Sequence, residues 1–126
     1  MRQKYTLKPE IAVEIQADGG NYRLLETRKV YIDLLGKDII VPKGFVTDFA
    51  SVPRFFWRLL PPLGRYNLAS LVHDFLYRTG DCTRAQADMI FYDLMEYLGV
   101  SYPVRLVMWL GVRVGGGRVW ARYRER

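Results

Sequence analysis

The chain is poor in the residues that staple or switch small proteins. Among its 126 residues there is one cysteine, Cys82, and one histidine, His73. A single thiol excludes an internal disulfide and any zinc site built on cysteines, and it points to synthesis in a reducing compartment. No uninterrupted apolar segment is long enough to cross a bilayer. The opening residues MRQKYTLKPE contain no apolar run of the signal-peptide kind. There is no internal repeat and no low-complexity tract. Acid is scarce towards the C-terminus, where from Pro103 onwards six arginines stand against Glu125 alone.

Half of the residues are apolar and a quarter are charged, the balance of an ordinary globular protein. The length suits one domain with its own core. The expected division is a β platform over 1–46, a loop with a short helix over 47–67, a helical part over 68–114 and a basic tail over 115–126. The formal net charge of +6 favours anionic partners such as phosphate, nucleic acid or lipid headgroups. Because the excess arginine is local to the tail and no nucleic-acid-binding motif accompanies it, nucleic acid is the least expected of these and membrane lipid is kept as a partner. The tail itself reads as a frayed amphipathic end, either solvated or lying on an anionic surface.

The first third is rich in β-branched and aromatic residues, with a turn-forming cluster at Asp18-Gly19-Gly20-Asn21. Strands are predicted near Ala12–Gln16, Tyr22–Asp33 and Asp38–Val41, the last two joined by a hairpin at Leu35-Gly36-Lys37. Val41-Pro42-Lys43-Gly44-Phe45 ends the strand pattern. The loop that follows places Asp48, Ser51 and Arg54 among apolar residues; either Asp48 and Ser51 cap the turn into Phe55–Leu60 or the loop supports a site. Asn67 is suited to cap the next helix.

That helix is predicted over Leu68–Arg78, ending at Gly80. Its successor begins with Thr83, and Gln86 three residues later completes a capping box. Ala87, Ile90, Phe91, Leu94 and Leu98 of this second helix repeat at helical spacing. Pro103–Val114 is apolar nearly all round, the pattern of a buried helix.

His73 and Tyr77 lie four apart and share a helix face. A histidine acts as a base when a second group fixes its tautomer, usually a carboxylate. Asp88, on the edge of the second helix, is placed to do this. Asp74 points about 100° further round the helix. With Asp48 it could supply two carboxylates to a hard cation such as calcium. The same residues can instead be structural, with His73 bonded to Asp88 and Asp74 paired with Arg54, Arg65 or Arg84.

Two resemblances follow from these motifs. The run HDFLYR, followed by Arg84, Asp88 and FYDL, resembles the paired catalytic helices of the prokaryotic secreted phospholipases A2. That likeness covers about thirty residues. It implies His73 as general base, Asp88 as its orienting partner, Tyr77 as a support and Asp74 as a calcium ligand. Asp48 remains the second expected metal ligand, and Ser51, Arg54 and Arg84 are expected as supporting residues. The chain departs from that pattern in having no disulfides and no glycine-rich calcium loop, whose place the Thr47–Ser51 loop would take. Over most of its length, through VPKGFVTDFASVPR, HDFLYR and RAQAD, the chain resembles the phage and prophage family known as domain of unknown function 1353. This implies a protein made in the bacterial host cytoplasm, associated with the virion or its tail, and partnered by other phage structural proteins.

The expected fold is α+β, with an N-terminal antiparallel sheet followed by three C-terminal helices that include the phospholipase A2-like pair. Two functions stay open: a metal-assisted lipid or ester hydrolase acting on the cell envelope, or a non-enzymatic structural or assembly protein.

Overall fold

The computed structural model describes residues 13–15, 22–47 and 66–125. The expected α+β class is found: short antiparallel strands precede a helical C-terminal part.

Strands β1 (Val13–Ile15), β2 (Tyr22–Leu24) and β5 (Val46–Thr47) form one antiparallel sheet in the order β1-β2-β5. Strands β3 (Arg28–Ile32) and β4 (Lys37–Val41) form a hairpin beside it. Alternation sets its two faces. Val30, Ile32, Ile39 and Val41 are buried, while Lys29 and Asp38 meet on the wet side at 3.6 Å. Gly36 adopts a φ of 65° in the connecting turn and donates its amide to the Ile32 carbonyl; side chains other than glycine rarely adopt this conformation.

The single strand predicted over Tyr22–Asp33 is interrupted at 25–27. Leu24 accepts from the Gly44 amide and donates to the Phe45 carbonyl, both at 2.8 Å, and Lys43 donates to the Thr27 hydroxyl. The turn after β4 therefore docks on the end of β2, and the chain bends there before entering the hairpin.

Helix α1 spans Tyr66–Thr79. Asn67 thus lies inside its first turn instead of capping it. At the other end, Gly80 takes a φ of 68° and its amide closes on the Leu76 carbonyl, as expected of a C-terminal cap. Helix α2 (Arg84–Tyr97) opens with the predicted capping box: the Gln86 amide donates to Thr83 Oγ1, and the Thr83 amide donates to Gln86 Oε1. Helix α3 (Tyr102–Gly115) starts with Pro103 in its first turn.

A fourth helix, α4 (Gly117–Arg124), follows the glycine break. Three C-terminal helices and a basic tail are thus corrected to four helices. The reason is that Val119, Trp120 and Tyr123 pack against the core and so hold the segment in place. The expectation that Pro103–Val114 is buried all round is also corrected. Met108, Gly111 and Val112 are buried, but Leu110 and Val114 are exposed.

The core lies where α1, α2 and the hairpin meet. Leu68, Leu71, Val72 and Leu76 of α1 pack with Ile90, Phe91, Leu94 and Met95 of α2 and with the inward side chains of β3 and β4. Phe45 meets Phe75 edge-on at 5.4 Å, which ties the β platform to α1.

Candidate functional site

The α1–α2 contact is sealed by apolar residues, yet His73, Asp74 and Asp88 lie fully buried within it. Ionisable groups in such a place require partners, and those of Asp88 are well defined. His73 Nε2 is 2.7 Å from Asp88 Oδ1, and Tyr77 Oη donates to the same oxygen at 2.7 Å. Arg113 Nη1 donates to Oδ2, also at 2.7 Å. The helical spacing of His73 and Tyr77 presents both to one carboxylate, and α3 contributes the guanidinium from the other side.

Burial by itself pushes the Asp88 carboxyl up. The hydrogen bonds from His73, Tyr77 and Arg113 outweigh it and hold the group below the usual aspartate range. Tyr77 is driven in the opposite sense: burial first, then the adjacent Asp88 charge, raise its hydroxyl far above the ordinary phenol range. It therefore stays protonated and donates. The Asp88 carboxylate thus holds the imidazole through Nε2 and fixes the orientation of the ring. Geometry and charge together make a histidine oriented by an aspartate, the arrangement that general-base catalysis requires.

The surrounding rings hold this arrangement in place. The imidazole lies 4.3 Å from the Tyr77 ring and 4.7 Å from that of Phe91, and Trp120 meets Tyr77 edge-on at 5.2 Å. A Cβ at Gly116 would stand 2.5 Å from the Tyr77 hydroxyl, so the absence of a side chain there allows the α3–α4 junction to close over it.

Arg84, expected as a supporting residue, acts on backbone. Its Nη2 donates to the Val112 and Arg113 carbonyls at the end of α3, which positions the turn carrying Arg113. The tail has a comparable role. Arg124 Nη2 donates to the Tyr77 and Arg78 carbonyls at the end of α1, while its guanidinium lies 4.4 Å over the Trp120 ring. Part of the expected basic tail is thus a helix cap, in keeping with the preference for cations at helix C-termini.

Asp74 is directed away from this network, as its place on the helix predicts, and pairs with Arg78 Nε at 3.5 Å. Arg78 lies in turn over the rings of Phe45 and Tyr123. Asp48, Ser51 and Arg54 lie outside the described residues, as does Arg65. Among the described residues there is no group of three or more histidine, cysteine or acidic side chains that could hold a metal ion. Of the two carboxylates expected to bind a cation, only Asp74 falls within the described residues, and no step below runs through a metal.

Arg113, Trp120, Gly116 and Arg124 were not among the expected site residues. Arg113 did carry a signal. An arginine flanked by valines in an apolar helix needs a specific partner, and a buried acid is the usual one.

The class defined by fold and site is an α+β protein organised around a buried histidine–aspartate pair bridged by three helices. The chain belongs to the family described as protein of unknown function (DUF1353), which it matches over residues 23–112. No curated protein and no solved structure matches it.

Proposed function

We propose that the protein is a phage-encoded, virion-associated hydrolase of lipid or other ester bonds in the cell envelope, with a phospholipase A2-like site. The observation that carries this reading is Asp88 Oδ1, which receives both His73 Nε2 and Tyr77 Oη at 2.7 Å. In this mechanism the His73 imidazole takes a proton from water as the water oxygen attacks the ester carbonyl. Asp88 stabilises the imidazolium that forms. The imidazolium then returns the proton to the departing alkoxide, completing hydrolysis to acid and alcohol. Tyr77 and Arg113 keep Asp88 ionised and in place. The phage context rests on the resemblance read from the sequence alone, and calcium enters as a variable of the test.

The test is release of fatty acid from phospholipid vesicles, and of acid from a soluble ester, with calcium or with chelator. Turnover by the folded wild type that is lost in His73→Gln and Asp88→Asn supports the reading. A folded wild type with no turnover under any of these conditions overturns it.

A second reading is favoured by the complete burial of His73, Tyr77 and Asp88. Catalysis at such a site needs an opening that admits water and ester. If none occurs, the network is a polar clamp between helices in a non-enzymatic phage structural or assembly protein. Fixed stoichiometry in purified particles together with no turnover would identify that role.

A further inference from the structure

Three glycines in a row, Gly115-Gly116-Gly117, join α3 to α4, and none of them takes a left-handed φ. Gly116 is required by the close approach of Tyr77. Gly117 has no such reason, since a Cβ there would meet Arg84 Cζ at 3.7 Å, an ordinary contact. What glycine adds at that position is freedom of the backbone. The family match ends at residue 112, so α4 lies beyond the matched part of the chain.

Past this junction α4 is lightly held. Of its eight residues only Val119 is buried, against six of the fourteen in α2. It nevertheless covers the network. Trp120 meets Tyr77 edge-on at 5.2 Å, and Tyr77 in turn donates to Asp88 and lies 4.3 Å from the imidazole. At its far end Arg124 donates to the Tyr77 and Arg78 carbonyls at 2.6 and 2.9 Å. Gly80 makes room for this contact, because a Cβ there would stand 2.5 Å from Arg124 Nη1. Arg124 is itself exposed, so water competes for its bonds. Few buried side chains and solvent-exposed hydrogen bonds mark an element that opens before the rest of a fold.

We propose that α4 is a hinged cover on the buried histidine–aspartate pair: it swings about Gly115–Gly117, is latched to the end of α1 by Arg124, and on release lets solvent reach His73 and Asp88. The cover serves the hydrolytic reading above and takes its purpose from it. Access to His73, unlike turnover, is measurable whether or not any ester is cleaved, so the two can fail separately.

The test uses the fact that the chain has one histidine. Carbethoxylation of His73 by diethyl pyrocarbonate is followed by mass spectrometry of the full chain and its peptides, at urea concentrations below the unfolding transition. Amide hydrogen exchange is followed in parallel. In the wild type, α4 should exchange before α1 and α2, and His73 should react at a rate that urea barely changes, as expected of a local opening that exposes little surface. Arg124→Ala should raise that rate roughly tenfold, because hydrogen bonds from a charged donor to two carbonyls are lost. Gly117→Ala should lower it about two- to fivefold, because the open junction has fewer conformations to gain. Modification of His73 that rises with urea as steeply as global unfolding overturns the proposal. So does an α4 that exchanges no sooner than α1 and α2, or a rate unchanged in Gly117→Ala. Should Arg124→Ala fail to fold, the wild type and Gly117→Ala decide the matter between them.

Discussion

Replacing Asp88 by asparagine removes a charge and almost no volume, which isolates the electrostatic part of the buried network. Three donors converge on this side chain: His73 and Tyr77 on Oδ1 and Arg113 on Oδ2. An amide has one oxygen, so the donors cannot all be served. If the oxygen faces Tyr77, the amide nitrogen points at Arg113, donor to donor. If it faces Arg113, Tyr77 loses its acceptor inside the core. Removing one member of a buried ion pair costs about 3–5 kcal/mol, and a hydrogen bond to a charged group contributes about 1.5–3 kcal/mol. Arg113 is one-third exposed and can turn to water, which discounts its share. A loss of about 3 kcal/mol is therefore expected, or about 10–15 °C in Tm for a domain of this size. Urea unfolding at pH 7, followed by circular dichroism, measures it. A loss below about 1 kcal/mol would refute the reasoning, because it would mean that the charge on Asp88 contributes little to holding the helices together.

Two further outcomes follow from the same contacts. Because the folded carboxyl of Asp88 is depressed, its stabilising contribution is complete above the ordinary aspartate value of about 3.9 and is lost as pH falls through the lowered folded value. The stability gap between wild type and Asp88→Asn should therefore narrow steadily below about pH 4; a gap that stays constant down to about pH 2 would contradict the assigned shift. Gly116→Ala should cost about 1–3 kcal/mol by overpacking, because the new methyl would stand 2.5 Å from the Tyr77 hydroxyl and 2.5 Å from the Val112 carbonyl oxygen. The backbone there is right-handed, so glycine's wider conformational range is not the cause. An unchanged unfolding midpoint would show that the α3–α4 junction does not close on Tyr77 in solution.

Local spacing in the sequence was sufficient for the parts of the molecule that depend on near neighbours. The four-residue step from His73 to Tyr77, the capping box at Thr83 and Gln86, the terminating Gly80 and the alternation in β3 each depend on residues within one turn or one strand pair. These are short-range constraints, and they declare themselves in the order of residues. The pairing of His73 with Asp88 was accessible for a related reason: two consecutive helices joined by a short turn have few ways to pack.

Only the tertiary structure decided what lies far apart along the chain. That Arg113 would reach Asp88 and that Arg124 would cap the helix carrying His73 depends on how α3 and α4 return over the first pair. It also decided the exposure of α3. Periodicity describes a helix's faces, but an apolar face is buried only if another element arrives to cover it, and nothing in Leu106–Val114 itself states whether one does. Thus the composition of the helices and the candidate dyad were determined locally, whereas the guanidinium that completes the network and the exposure of Leu110 and Val114 were settled by long-range packing.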